Sequence, residues 1–142
     1  MAVELPMKKL DDYRIFAEED VEEIRELGQQ LRGLKVVHVN ATAYGGGVAE
    51  LLMTIVPLMR DAGLDARWEV LEAPAEFFNV TKKLHNTLQG ANIEISDEEW
   101  ALYERVNEEN AKKLNLDADV VIIHDPQTAY VPLYSDGKNA KY

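Results

Sequence analysis

Apolar positions recur along the chain with two different spacings, one typical of helices and the other of strands. Helical spacing is found in the segments 17–32, 48–61, 74–90 and 97–114. Short apolar or alternating runs typical of strands cover 36–40, 65–71 and 120–123. Strand, helix and strand follow one another from 36 to 71, which predicts a βαβ unit with parallel strands and a right-handed crossover. The pattern therefore predicts an α/β fold built on a mostly parallel sheet.

The composition of each segment predicts which side chains are buried. The last strand, VVII, is wholly apolar, which is typical of a central parallel strand. In the second strand we expect Arg67 and Glu69 to lie on a wetter face, and helix 48–61, apolar on more than one side, to be largely buried. Residues 1–16 are either an arm packed through a few apolar side chains or a partly ordered terminus. The buried stripes of two other helices are predicted to contain Val21, Ile24, Leu31, Val80, Leu84 and Leu88.

Three consecutive glycines, Gly45, Gly46 and Gly47, follow the first predicted strand and precede a helix that begins near Val48. We call them the glycine loop. Without Cβ atoms the backbone can reach positive φ, and its N–H groups can approach a ligand closely at the helix N-terminus, where an anion is favoured. The loop is therefore a candidate phosphate or diphosphate site. It matches neither the dinucleotide-binding nor the P-loop motif, and a tight turn without a ligand is the alternative.

The apolar strand VVII ends abruptly in His124 and Asp125. In open α/β sheets, ligands bind beyond the carboxyl ends of the strands, where the strand order reverses. If the first strand lies between the other two, the glycine loop and this His-Asp pair meet at that point. The pair could bind sugar hydroxyls, or His124 could transfer a proton; alternatively, the turn simply caps the strand. His38, inside the first strand, is expected to be a core or supporting histidine.

A third group of polar side chains lies on the predicted helix 74–90. Lys82, His85 and Asn86 cluster at helical spacing with Asn79, beside the apolar stripe. Such a cluster is a candidate for ligand contact, and a solvated surface is the alternative.

Length and charge narrow the possible functions. The 142 residues have the length of one domain, which we assign to 1–142. The net charge of −11 argues against nucleic acid or an anionic membrane surface as a partner, because both need a basic footprint. Cysteine is absent and the three histidines lack metal-binding spacing, so no metal site is predicted. No apolar run has the length of a signal peptide or a membrane span, and a cytoplasmic protein is expected.

Four segments together resemble a known family. They are HVNATAYGGGVAELL, PLMRDAGLDARWEV, EFFNVTKKLHNTLQG and VVIIHDPQ. In combination they are similar to the N-terminal domain of the glycosyltransferring trehalose synthases and the related trehalose phosphorylases, in glycosyltransferase family 4. The resemblance runs from about Asp12 to Gln127 and so covers most of the chain.

The resemblance implies a role in carbohydrate metabolism. These enzymes transfer glucose with retention between a nucleotide sugar, ADP-glucose or UDP-glucose, or glucose 1-phosphate, and free glucose. They require no metal or other cofactor. The implied fold is a Rossmann-like three-layer domain, the N-terminal half of a two-domain B-type glycosyltransferase.

By the same resemblance the site residues fall into three groups. The glycine loop would lie against the phosphate or diphosphate of the donor. His124 and Asp125 would line the sugar pocket and are the candidate catalytic residues. The residues on the acceptor side would be Lys82, His85 and Asn86.

The family's C-terminal domain, which supplies most donor-binding residues, has no counterpart in these 142 residues. We therefore expect an incomplete N-terminal domain that is inactive alone and needs that domain or a partner chain. The alternative is a non-catalytic module that binds a sugar or sugar phosphate, or forms a homo-oligomer through an open sheet edge. A flavodoxin-like nucleotide module would fit the glycine loop but not the other segments.

Overall fold

Three strands and five helices form the regular structure in the computed structural model, which describes residues 1–136 and 140–142. In chain order they are α1 (Arg14–Gln30), β1 (Lys35–Asn40), α2 (Gly47–Ala62), β2 (Asp65–Val70), α3 (Ala75–Leu88), α4 (Asp97–Lys113), β3 (Val120–Ile123) and α5 (Val131–Tyr134). All three predicted strands and all four predicted helices are present. Helix α1 begins earlier than predicted and is kinked at Ala17, which has φ −152° and ψ 57°. The short helix α5 was not predicted.

The three strands form one parallel sheet in the order β2-β1-β3. The prediction of a parallel α/β fold is confirmed. The prediction that the apolar strand VVII is central is wrong, because β1 lies in the middle and pairs with both neighbours. Along its outer side, β3 is paired only at its beginning within the described residues, where the N–H of Val121 donates to the carbonyl oxygen of Lys141 (2.8 Å).

Helices cover both faces of β1, which gives the three layers. Val37 and Val39 are fully buried in one hydrophobic cluster with Phe77 of α3 and Tyr103 of α4. On the opposite face, Leu52 and Val56 of α2 pack with Trp68 of β2 in a second cluster. Burying one such side chain contributes about 1.5–3 kcal/mol. The residues of β1 between Val36 and Asn40 are consequently all buried, although two of them are polar.

Local signals set the helix ends. Ser96 and Glu99 form a capping box at the start of α4, and Gly63 ends α2 in the left-handed conformation at φ 113°. Helix α2 is less buried than predicted, since Leu51 and Ile55 remain exposed. None of the helices in the described part of the chain is long and apolar enough to cross a membrane.

Several burial predictions fail on or beside α1 and at the end of α3. Ile24, Leu31 and Leu88 are exposed rather than buried, and Ile15 and Phe16 do not pack the N-terminal arm onto the domain. The arm is nevertheless packed onto the domain by Leu10, which is buried, and by Val3 and Leu5, which pack against the second cluster. Its backbone is also paired with the sheet.

The N-terminal backbone covers the outer edge of β2. Ala2 pairs antiparallel with Glu69, and the N–H of Val3 donates to the carbonyl oxygen of Trp68 (3.0 Å). The amino group of Met1 lies 3.3 Å from the Glu69 carboxylate. This coverage explains why Glu69 is buried, contrary to the prediction.

Substituting Gly28 with alanine should destabilise the fold. Gly28 is buried in α1, and a Cβ there would lie 2.2 Å from the carbonyl oxygen of Ala62 in α2. That oxygen belongs to the backbone and cannot move aside freely, so we expect Gly28→Ala to cost roughly 1–3 kcal/mol, although alanine favours helices. Urea denaturation measures the change, with the exposed neighbour Gln29→Ala as the control. A Gly28→Ala variant as stable as the parent would contradict this close approach of the two helices.

Candidate functional site

The glycine loop and the His124-Asp125 pair follow neighbouring parallel strands and so lie at the same edge of the sheet, the one formed by the carboxyl ends of the strands. Strand β1 ends at Asn40 and β3 ends at Ile123, and the two strands are parallel neighbours. The N–H of His124 continues the ladder by donating to the carbonyl oxygen of Val39 (2.9 Å). The strand order reverses at β1, so this edge is the position at which open α/β sheets bind ligands.

Only one glycine of the loop is needed by the fold itself. Gly45 has φ +73°, which favours glycine, whereas Gly46 is extended at φ 178°. A Cβ built at Gly46 or Gly47 would come within 4 Å of no described atom beyond the adjoining residues. All three glycines are exposed. The bare backbone at Gly46 and Gly47 therefore leaves room in front of the first turn of α2, whose N–H groups have no acceptor within the helix.

A buried amide fixes the segment that leads into the loop. The indole N–H of Trp68 donates to Oδ1 of Asn40 (2.7 Å), and Nδ2 of Asn40 donates to the carbonyl oxygen of Thr42 (2.8 Å). The hydroxyl of Thr42 in turn donates to the carbonyl oxygen of Tyr44 (2.7 Å). Sequence reasoning missed this role of Asn40. Its signal was a polar residue at the last position of a buried strand.

Two histidines contact each other close to the carboxyl ends of the strands, His38 within β1 and His124 directly after β3. Nδ1 of His38 lies 2.9 Å from Nε2 of His124, with the ring planes 14° apart, and Nε2 of His38 lies 3.3 Å from Sδ of Met59. His38 is buried, as expected from the sequence, and His124 is half-buried. Burial lowers the pKa of His38 to about 4, helped by the neighbouring His124, and burial also lowers the pKa of His124 against the opposing effect of Asp125. Both rings are therefore neutral at neutral pH.

Asp125 has a backbone conformation that is rare outside glycine. Its φ of 65° and ψ of 165° cost about 1–3 kcal/mol, and such strain is concentrated at functional sites. Thr128, which is fully buried, helps to hold the turn, because its hydroxyl donates to the carbonyl oxygen of His124 (2.6 Å). The side chain of Asp125 is exposed at the edge of the sheet.

The third predicted group lies on a separate element. Lys82 and His85 are exposed on α3 and Asn86 is half-buried, and Nε2 of His85 is 2.9 Å from Nε2 of Gln89. Helix α3 packs against the 3-10 turn Pro126–Thr128, directly after Asp125. The structure thus brings two of the three predicted groups to one edge and places the third on a helix beside it.

The chemistry available at this edge is hydrogen bonding to an anion and to hydroxyl groups. Backbone N–H groups at the start of α2 can bind a phosphate, and the His124 ring and the Asp125 carboxylate can bind hydroxyls. Over residues 1–136 and 140–142, no group of three or more histidine, aspartate or glutamate side chains is arranged to hold a metal ion.

The buried neutral His38 makes stability depend on pH. Its pKa falls from 6.5 in the unfolded chain to about 4 in the fold. Between these values the unfolded chain binds a proton that the folded chain does not, so stability is lost as pH falls from 6.5 towards 4, by roughly 2–3 kcal/mol.

Urea denaturation at several pH values measures this dependence. The variant His38→Gln should lose less stability than the parent between pH 6.5 and pH 4.5, whereas His85→Gln, which removes an exposed histidine, should follow the parent. Parallel losses in the parent and in His38→Gln would contradict the assignment.

Comparison with known proteins shows the family to which the chain belongs. Residues 38–141 match the family described as "Trehalose synthase, N-terminal domain". The trehalose synthase of Pyrococcus horikoshii is 50% identical over 125 residues, which are 86% of this chain and 30% of that protein. The trehalose synthase of Rubrobacter xylanophilus is 48% identical over 134 residues, 92% of this chain and 32% of that protein. The chain thus spans about a third of the length of these curated relatives, and it belongs to the trehalose synthase family, whose N-terminal domain it matches.

Proposed function

We propose that this chain is the acceptor-side domain of a retaining glycosyltransferase that makes trehalose from a nucleotide-activated glucose and glucose. ADP-glucose and UDP-glucose are the proposed donors, and the reaction is proposed to need no metal. The observation that carries the proposal is the juxtaposition of the bare glycine loop and the His124-Asp125 pair at the carboxyl edge of β1 and β3. The names of the relatives supply the substrate class.

In this proposal the glycine loop binds the phosphate or diphosphate of the donor. The first N–H groups of α2 lack acceptors within the helix, and the helix dipole favours an anion there. The net charge of −11 does not oppose binding of a phosphate here, because the hydrogen-bond donors are backbone N–H groups. Gly46 and Gly47 have no steric need to be glycine in the isolated chain, and access for a ligand accounts for them.

His124 and Asp125 bind the sugar in the same proposal. The exposed carboxylate of Asp125 accepts hydrogen bonds from sugar hydroxyls, and the His124 ring offers one nitrogen for the same purpose. The strained backbone of Asp125 favours this reading over a simple strand cap, because an ordinary cap needs no conformation of this cost. On α3, Lys82, His85 and Asn86 are proposed to contact the acceptor glucose.

Turnover is proposed to require groups beyond those that these 142 residues supply. The glycine loop and Asp125 are exposed, which supports a site that forms one side of a cleft. Stabilising a departing phosphate and an oxocarbenium-like sugar requires preorganised groups around the reacting atoms. We propose that these groups come from a C-terminal domain, in the same polypeptide or in a partner chain, and that the assembled enzyme acts in the cytoplasm.

A non-catalytic binding module that self-associates is the second candidate. It is favoured by the outer side of β3, where the described residues place only one short pairing, at Lys141. Unpaired strand edges recruit other strands. This candidate differs from the first in predicting sugar binding and a homo-oligomer, with no gain of activity from a C-terminal domain.

Calorimetric titration and a trehalose assay test the proposal. The chain is titrated with glucose, trehalose, glucose 1-phosphate and ADP-glucose, and trehalose formation is measured with and without the separately produced C-terminal domain of the Rubrobacter xylanophilus trehalose synthase. We expect weak binding without turnover by the chain alone, and turnover that resists a metal chelator when the second domain is added. Failure to bind any of these compounds would contradict the proposal.

The variant Gly46→Val tests the role of the glycine loop. Valine adopts the extended conformation of Gly46 easily and its side chain would enter open space, so the fold should tolerate it at a cost near 1 kcal/mol for a poorer helix cap. Binding of glucose 1-phosphate and ADP-glucose should weaken by about tenfold or more, equivalent to about 1.4 kcal/mol. Leu51→Val, on the exposed side of the same helix, is the control. A folded Gly46→Val variant with unchanged affinity would exclude the loop as the phosphate site.

A further inference from the structure

We propose that His38 is a positioning residue that holds the imidazole of His124 in one tautomer. In this tautomer the Nε2–H of His124 donates a hydrogen bond to His38, and Nδ1 of His124 remains free to accept a hydrogen bond from a ligand hydroxyl. The identity of that ligand, a sugar, rests on the proposed function. The hydrogen-bond arrangement rests on the contacts of His38, His124 and Met59 and on the neutral state of the two rings.

The thioether of Met59 sets the direction of the arrangement. Nε2 of His38 lies 3.3 Å from Sδ of Met59, and a thioether sulfur can only accept a hydrogen bond. Nε2 of His38 must then carry the proton. A neutral imidazole has one N–H, so Nδ1 of His38 is an acceptor, and it lies 2.9 Å from Nε2 of His124. Nε2 of His124 therefore carries the proton of its own ring, and Nδ1 of His124 keeps a free lone pair.

Both rings have to be neutral for this argument to hold. Burial lowers the pKa of both rings, so both are neutral at neutral pH, and the neighbouring His124 lowers the pKa of His38 further. The carboxylate of Asp125 acts in the opposite sense on His124 but does not reverse the effect of burial. One proton per ring is thus the state that a ligand meets.

The surrounding structure fixes the orientation of the His124 ring. His38 is 4% exposed in the central strand, and its ring lies nearly parallel to that of His124, with centroids 5.2 Å apart. The backbone of His124 is held on one side by the carbonyl oxygen of Val39 and on the other by the hydroxyl of Thr128. A ring anchored at Nε2 presents its remaining polar atom, Nδ1, in one direction.

This arrangement separates two kinds of ligand group. An unprotonated nitrogen accepts a hydrogen bond from a hydroxyl but has nothing to donate to a phosphate oxygen. The N–H groups at the start of α2 have the opposite preference. His38 would in this way make the His124 side of the edge selective for hydroxyl groups and leave the anion to the glycine loop.

Two substitutions of His38 separate the hydrogen bond from the bulk of the ring. In His38→Asn, the side-chain oxygen can take the place of Nδ1 and still accept from His124. In His38→Gln, the longer amide reaches the place of Nε2, near Met59, and the acceptor for His124 is lost. The chain contains three histidines, so His85→Gln assigns the remaining ring signals.

Long-range proton–nitrogen NMR spectra of the imidazole rings give the first readout. At pH 7.5 we expect His124 to be a single tautomer protonated at Nε2 in the parent and in His38→Asn, and to average between tautomers in His38→Gln. A His124 ring protonated at Nδ1 in the parent, or an unchanged His124 spectrum in His38→Gln, would overturn the arrangement. This readout requires no ligand and no activity.

Sugar affinity gives the second readout. We expect His38→Gln to bind glucose or trehalose about three- to tenfold more weakly than the parent, the loss of about one hydrogen bond, and His38→Asn to bind nearly as the parent does. Equal affinities of parent and His38→Gln, with a changed His124 spectrum, would overturn the positioning role. A parent chain that binds neither sugar would instead contradict the proposed function, and the spectra would still decide the tautomer.

Discussion

The parallel pairing of β1 with both of its neighbours is the constraint on which the rest of the structure depends. Because the strands run in the same direction, the turns after β1 and β3 must lie at the same edge of the sheet. The glycine loop and the His124-Asp125 pair come together for that reason alone, although they are far apart in the sequence. Helices on both faces bury β1.

The side chains on the two faces of β1 have different roles. Val37 and Val39 fill an apolar core with α3 and α4, whereas His38 and Asn40 face α2 and support the site. Burying polar side chains costs free energy unless they form hydrogen bonds. Here the Asn40 amide is bonded to Trp68 and Thr42, and the ring nitrogens of His38 contact His124 and Met59. On the α2 side of β1, the buried polar side chains of Asn40 and His38 thus contact the segment before the glycine loop and the ring of His124.

Local signals in the sequence predicted the helices and strands well. Features that depend on contacts between distant parts of the chain were not predicted. The capping box at Ser96, the cap at Gly63 and the apolar strands all depend on neighbouring residues, and the helices and strands to which they belong were predicted. The apolar composition of a strand indicates that both of its faces are covered, but not how many strands pair with it. For this reason VVII was wrongly predicted to be the central strand. The burial of Glu69 depends on the N-terminal backbone, and the contact of His38 with His124 joins residues 86 positions apart. Met59 gave no local signal of its role.

The central claim is that one edge of the sheet binds both the phosphate and the sugar of a ligand. Backbone amide NMR spectra recorded during a titration with glucose 1-phosphate test it most directly, because they report every part of the surface at once. The account predicts that the largest shifts occur at Gly45, Gly46 and Gly47 and at His124 and Asp125. Shifts confined to helix α1 or to the outer side of β3, or no shifts at all, would contradict it.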